Sequence, residues 1–225
     1  MTERNPTMAR IMGALAGARR VVDIGCGEGA LSAALVKRGF DVVGIDPQDD
    51  LIAVARKRVP DAEFFAARAE SIPFPKADAD AAVILNALHH VPSDAMDAAL
   101  KGGLQILRSG GVLVVVEPLA EGSFFKVMQP VDDETAVRAQ ALDALARLIA
   151  EAPERLERHE RYEVPTRFED PEAFLEYLYK AEPARGDQIR AQRETVMQAI
   201  ADHATPDEDG FTLISRMAIW VFRAF

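Results

Sequence analysis

Val21-Val22-Asp23-Ile24-Gly25-Cys26-Gly27-Glu28-Gly29 decides how the rest of the chain is read. Val21 and Val22 are β-branched and apolar, as a buried strand requires, and Asp23 lies near that strand's end. Glycines then alternate at 25, 27 and 29 before Ala30-Leu31-Ser32-Ala33-Ala34-Leu35 opens a helical pattern. Glycine turns the backbone sharply and lets a ligand approach where a Cβ would collide. A helix that starts beyond the turn directs its unpaired N–H groups toward the same gap. The stretch therefore predicts a strand–turn–helix unit with a nucleotide-like ligand lying across the turn.

Working outward, the spacing predicts a short amphipathic helix over 7–18 before this unit. Helix 31–38 follows it, stopped by Gly39, and 41–46 is a second strand ending in Asp46. Asp49 or Asp50 can cap a helix to Val59, with Pro60 beyond it. Residues 63–67 read as a third strand, 68–76 as a loop with two prolines, and 78–86 as a fourth strand. Ser93 can cap a helix from Asp94 to Leu107, a turn falls at 109–111, and 112–117 is a continuous apolar strand. Strands alternating with helices give a doubly wound, Rossmann-like α/β sheet, mostly parallel.

After Pro118 the rhythm changes. The pattern predicts a helix from 132–135 to Arg158, a strand over 159–167, and a helix capped by Asp170 with Pro171 at its first position. A polar helix over 186–203, a turn at 205–210 and a last strand within 211–224 complete the chain. The expectation is one domain over 1–225 with seven strands. Its cofactor-binding core spans 19–118, and a helical substrate cover is formed by 119–158 and 168–205. Phe124, Phe125, Tyr162, Phe174 and Tyr177 either line that cover or fill its core.

Composition narrows the chemistry. The 225 residues carry a formal net charge of −10, which repels nucleic-acid backbones. The densest basic places, Arg19–Arg20 and Arg56–Lys57–Arg58, read as solvated helix ends. A small-molecule acceptor is expected, with no nucleic acid. The absence of a leader-like or membrane-spanning apolar run and the single Cys26 fit a cytoplasmic protein. Cys and His do not cluster at metal-ligand spacing, so no metal is expected.

Gly25 to Ala30 also satisfies a dinucleotide fingerprint if Ala30 takes the third glycine's place, which leaves an NAD-dependent oxidoreductase open. Asp23 argues for another ligand, because that fingerprint asks for no acid there. Four stretches in order resemble the class I S-adenosylmethionine-dependent methyltransferases, closest to the small-molecule branch that includes quinone-biosynthesis enzymes. They are Val21–Gly29, Gly44-Ile45-Asp46, Ala69-Glu70-Ser71-Ile72-Pro73-Phe74 with Asp78–Val83, and Leu107–Leu113. The resemblance implies methyl transfer from S-adenosylmethionine, leaving S-adenosylhomocysteine; a non-catalytic cofactor-binding protein is the alternative. It implies that Gly25, Cys26, Gly27 and Gly29 pass the methionine and ribose portion, and that Asp23 helps hold the amino-acid end. It assigns the ribose hydroxyls to Asp46 and the adenine face to Pro47 and Leu51. Ala69 would meet the adenine ring, while Asn86 and Ala87 would turn carbonyls toward the ammonium. Arg68 departs from the family, which has Asp or Asn there. Glu70, a carbonyl or water must then take the adenine amino group, or Arg68 stacks on the ring. His89 and His90 are the candidates for proton transfer, against a plain structural role at the helix entry.

Overall fold

A computed structural model describes residues 5–73 and 78–225. The expected loop over 68–76 and the motif ending at Phe74 therefore lie partly outside the described residues. The chain forms two compact units: the described part of 1–117 with 140–160 and 218–225, and 118–139 with 161–217.

The first unit opens with α1 (Pro6–Ala14), whose N-cap Asn5 accepts the Thr7 and Met8 N–H groups on Oδ1. Then come β1 (Arg20–Ile24), α2 (Ala30–Val36), β2 (Asp41–Asp46), α3 (Asp49–Arg58), β3 (Glu63–Ala66) and β4 (Ala79–Leu85). They are followed by α4 (Met96–Gln105) and β5 (Leu107–Pro118). The strands β3, β2, β1, β4 and β5 lie side by side in that order, every adjacent pair parallel. Sequence order reverses between β1 and β4, and ligands in such sheets sit at the carboxyl ends of the strands beside that reversal. Val21, Val22, Ile24, Val42, Val43, Ile45, Ala81–Ile84 and Leu113–Val116 are all buried. Unbroken apolar runs of this kind mark strands covered on both faces.

Two local readings change. The helix expected from Asp94 begins at Met96 and has Ala95, not Ser93, at its N-cap, because Ala95 N–H is taken by Pro92 O in a preceding turn. The glycines at 110 and 111 do not break the chain before β5. The strand runs through them as a bulge, with the register stepping from Ala79↔Leu107 to Ala81↔Val112. The bulge is stitched to the C-terminal segment: Gly110 N–H donates to Ala224 O, and Ala224 N–H donates to Gly111 O.

The remaining elements are α5 (Gly122–Met128), α6 (Thr135–Glu151), β6 (Leu156–Phe168), α7 (Pro171–Ala181), α8 (Gly186–Ala191), α9 (Arg193–His203), β7 (Thr205–Asp207) and β8 (Gly210–Arg223). Helix α6 stops seven residues short of the expected Arg158, because the strand alternation already begins at Leu156. The helix expected over 186–203 is two, broken at Gln192. The expected turn at 205–210 contains a strand: β7 pairs antiparallel with β8, from Thr205↔Thr212 to Asp207↔Gly210, leaving a two-residue hairpin loop. With β8 and β6 beside β5, the path holds the seven expected strands, and β7 is an eighth off that path.

In the second unit, Phe125, Phe168, Phe174, Leu178, Val196 and Leu213 belong to one apolar core. Of the five aromatic residues singled out in the sequence, Phe125, Tyr162 and Phe174 are buried. Phe124 packs on the same core, its ring edge-on to Phe174 at 5.6 Å, and only Tyr177 is largely exposed. Phe124, Phe125 and Phe174 fill that core.

Candidate functional site

The carboxyl ends of β1, β2, β4 and β5 bring together most of the residues that the sequence nominates. The turn after β1 is fastened to β2, with the Gly25 and Cys26 N–H groups both donating to Ile45 O at 2.8 and 2.9 Å. Gly25, Gly27 and Gly29 have φ of 76°, 51° and 78°, so the alternation of glycines is an alternation of left-handed backbone. Gly25 and Gly27 are glycine for different further reasons. A Cβ on Gly25 would stand 2.5 Å from the Ala87 Cβ, so here β1 and β4 touch without room for a methyl group. A Cβ on Gly27 would meet nothing within 4 Å. At Gly27 the backbone itself borders open space.

Asp46 closes the far side of this turn. Its Oδ2 accepts the Gly27 N–H and its Oδ1 the Gln48 N–H, each at 3.0 Å. The carboxylate thus holds the Gln48 N–H just ahead of α3 and fixes the glycine turn; the N-cap of α3 is Gln48, with Asp49 and Asp50 inside the first turn and no side-chain cap. Each oxygen has one lone-pair position left for a ligand. Pro47, next to this carboxylate in the chain, is exposed, and Leu51, in the first turn of α3, is half-buried.

Asp23 lies deeper. It is 1% exposed, its Oδ2 accepts the Ser32 hydroxyl at 2.7 Å, and burial pushes its pKa up to about 6 despite the Ser32 hydrogen bonds. It stands beneath the turn, held from α2. Ser32 was not nominated by sequence. Its signal is that a small hydroxyl falls on the inward face of a helix otherwise made of Ala, Leu and Val. Cys26 packs with Ile52, Ala55, Val59 and Phe64. Burial and the charges of Asp23 and Asp46 push its thiol far above the ordinary range, and that thiol donates to Gly27 O within the turn at 3.7 Å.

At the end of β4, Asn86 is exposed and has φ 52°, alone among the described non-glycine residues in having a positive φ. Its N–H donates to Val116 O at 2.8 Å. The N–H groups of Ala87 and Leu88 both reach Glu117 Oε1, at 3.1 and 2.9 Å. Glu117 Oε2 meets His89 Nδ1 at 2.5 Å. His89 is buried and His90 exposed, with ring centroids 4.1 Å apart. Glu117, near the end of β5, is 1% exposed.

The loop after β3 is joined to β2, where Ala67 N–H donates to Asp46 O at 3.0 Å. Arg68 and Glu70 bind one another, Nε to Oε1. Burial would raise the Glu70 pKa, but Arg68 and a backbone N–H outweigh it and hold the carboxyl below its usual range. Arg68 is 59% exposed and is thus held by its neighbour along the loop. Ala69 is half-buried beside α4, where a Cβ on Gly102 would lie 3.3 Å from Ala69 O.

Residues 21–111 match the methyltransferase domain family. A demethylmenaquinone methyltransferase of Beutenbergia cavernae is 40% identical over 98 residues, covering 44% of this chain and 40% of that protein. An uncharacterized methyltransferase of Mycobacterium tuberculosis is 38% identical over 102 residues, 45% of this chain and 40% of its own length. The chain thus spans about two fifths of the curated relatives that it matches. Over its whole length it has the fold of a methyltransferase-like protein of Bacillus halodurans, with a TM-score of 0.66 at 20% identity, covering 96% of this chain and 97% of that one. Residues 21–111 are thus similar to the methyltransferase domain family, and the chain as a whole has the Rossmann-like α/β fold of such proteins.

Proposed function

We propose that the chain transfers the methyl group of S-adenosylmethionine to a small-molecule acceptor, with the cofactor lying across the turn after β1. The observation that carries this reading is the pairing of Gly27 with Asp46. An open stretch of glycine backbone and a carboxylate with a free acceptor position on each oxygen are joined by one hydrogen bond. Vicinal ribose hydroxyls suit that carboxylate, and a sugar or thioether can approach that backbone. Asn86 and Ala87, on the facing strand end, are assigned to the cofactor's ammonium. Asp23, held by Ser32 of α2, is assigned to the amino-acid end, directly or through water. Pro47, Leu51 and Ala69 are assigned to adenine, with Arg68 and Glu70 as a paired rim.

When bound, the sulfonium supplies an already activated methyl carbon. The protein's own task is to align donor and acceptor and to exclude water, and a base is needed only where the acceptor must lose a proton. Acceptor choice is assigned to residues after Pro118, which lie outside the matched stretch. The excess of acid over base and the quinone-methylating relative both favour a small organic acceptor over nucleic acid. Among the described residues no helix is long and apolar enough to cross a membrane; a cytoplasmic site of action is part of the proposal.

Isothermal titration with S-adenosylhomocysteine tests the reading, together with mass-spectrometric detection of methylated products from a panel of phenols, quinols and amines. Wild type should bind, and Asp46→Ala should weaken binding at least about tenfold without unfolding the chain. Absence of binding by wild type refutes the proposal. Binding with no product from any acceptor would favour a non-catalytic cofactor-binding role.

A further inference from the structure

The chain leaving β4 holds a conformation that the strand ladder does not explain. Asn86 enters it in the left-handed region, a costly place for a residue with a side chain. The next two N–H groups, of Ala87 and Leu88, meet no carbonyl; both converge on one carboxylate oxygen of Glu117. The other oxygen meets His89 Nδ1. With Asn86 N–H on Val116 O, the end of β5 grips four consecutive residues, 86 to 89.

Glu117 is a poor choice for a core position unless this grip is its task. A carboxylate 1% exposed is costly to bury, and an apolar side chain would fill the space without that cost. Three donors, all from residues 87 to 89, offset the burial. A leucine in its place would leave the Ala87 and Leu88 N–H groups without an acceptor.

We propose that Glu117 is a positioning residue for the amino-acid end of the cofactor. Its carboxylate holds the Ala87 and Leu88 N–H groups so that Asn86 keeps its left-handed entry and the carbonyls of 86 and 87 stay aimed at the ammonium. His89 engages the second oxygen and locks the carboxylate's rotation. This inference rests on the cofactor reading above, and goes beyond it by assigning to β5 a residue that touches no ligand.

The test compares two ligands that differ only at the end in question. S-adenosylhomocysteine carries the amino-acid end, whereas 5′-methylthioadenosine keeps the adenosine and thioether and lacks it. Glu117→Asp retains the charge but draws the carboxylate back by about 1.5 Å, one carbon–carbon bond. It should weaken S-adenosylhomocysteine at least about tenfold and leave 5′-methylthioadenosine within about threefold of wild type. Glu117→Gln should rescue, because its amide oxygen accepts both N–H groups and its NH2 donates to His89 in the other tautomer. Its affinity for S-adenosylhomocysteine should stay within about threefold of wild type. The proposal falls if Glu117→Asp weakens both ligands alike or neither, or if a folded Glu117→Gln loses affinity as the Asp variant is expected to. Should the Asp variant not fold, the Gln variant decides alone. If wild type binds neither ligand, the cofactor reading itself fails; if it binds both and the variants break the pattern, only the role of Glu117 fails.

Discussion

Gly25 and Gly27 stand two residues apart in the same turn, with left-handed backbone at both, yet alanine should harm them in different ways. At Gly25 two costs add. A non-glycine residue in the left-handed region costs about 1–2 kcal/mol. The new Cβ would also sit 2.5 Å from the Ala87 Cβ, where carbon atoms ordinarily rest about 3.5–4.0 Å apart. The ends of β1 and β4 must then separate by about 1 Å, an overpacking worth roughly 1–3 kcal/mol. Gly25→Ala should therefore destabilise by about 2–5 kcal/mol. Gly27→Ala carries only the backbone cost of about 1–2 kcal/mol, because nothing lies within 4 Å of its Cβ. Urea unfolding followed by circular dichroism measures both. The steric share can be isolated by a double-mutant cycle: Ala87→Gly removes the opposing methyl, so Gly25→Ala should couple to it by about 1–3 kcal/mol in the stabilising direction. Titration with S-adenosylhomocysteine then completes the contrast. Gly27→Ala, though the better folded of the two, should lose at least about tenfold in affinity, since its methyl group occupies the open ground beside Asp46. Equal stability losses at the two glycines, or a cycle with no coupling between 25 and 87, would refute this account of the turn.

Other consequences are as direct. Asp23 has its pKa raised to about 6, chiefly by burial, so the folded state favours its protonated form. Its stabilising contribution is complete below the unfolded carboxylate range and is lost as pH rises through about 6. Asp23→Asn, which can still accept from Ser32, should thus be more stable than wild type at pH 7.5 by up to roughly 3 kcal/mol, with the gap closing toward pH 4 in paired urea titrations. Cys26 is buried with its thiol pushed up, so iodoacetamide at pH 8 should leave the native protein unlabelled and modify it once unfolded, as read by mass spectrometry. Arg138 is buried, donates to Glu134 and Leu119 O, and lies 4.8 Å from the Phe125 ring centre. Arg138→Met should cost about 3–5 kcal/mol in the same unfolding assay, and replacing Glu134 by Leu as well should recover part of it. Asp170 Oδ1 accepts the Ala173 N–H at 2.8 Å at the start of α7, so Asp170→Ala should cost about 1 kcal/mol.

The first half of the chain was readable because its signals are local. A left-handed turn needs glycine, a buried parallel strand needs an unbroken apolar run, and both are written within a few residues of where they act. Asp46 was legible for the same reason, as an acid ending a strand. Other features depend on distant partners. The strand β7 lies inside what reads as a turn, because its pairing is with residues 210–212, and Thr-Pro-Asp alone signals only a bend. The bulge at 108–111 needs Ala224 to complete it. The role of Glu117 needs three residues roughly thirty positions upstream, which no local pattern around it displays. Arg68 donates to Glu70, two residues away, a pairing that depends on how the loop folds. Ser32 was hidden because a single hydroxyl in a helix carries no periodic signal.

Gly44, in the middle of β2, has an outcome that reaches beyond one residue. The place of its missing side chain is taken by the Phe64 ring, 2.5 Å from where a Cβ would stand, and by Cys26 Sγ at 2.9 Å. Positions 26, 44 and 64, in the glycine turn, β2 and β3, therefore share one fixed allotment of volume. In a library randomised at these three positions and sorted for folded protein, a larger residue at 44 should survive only beside a smaller one at 64. The three sites would then vary as a single inherited trait, and the cysteine in the glycine turn would follow the packing of β2 rather than any chemistry of sulfur.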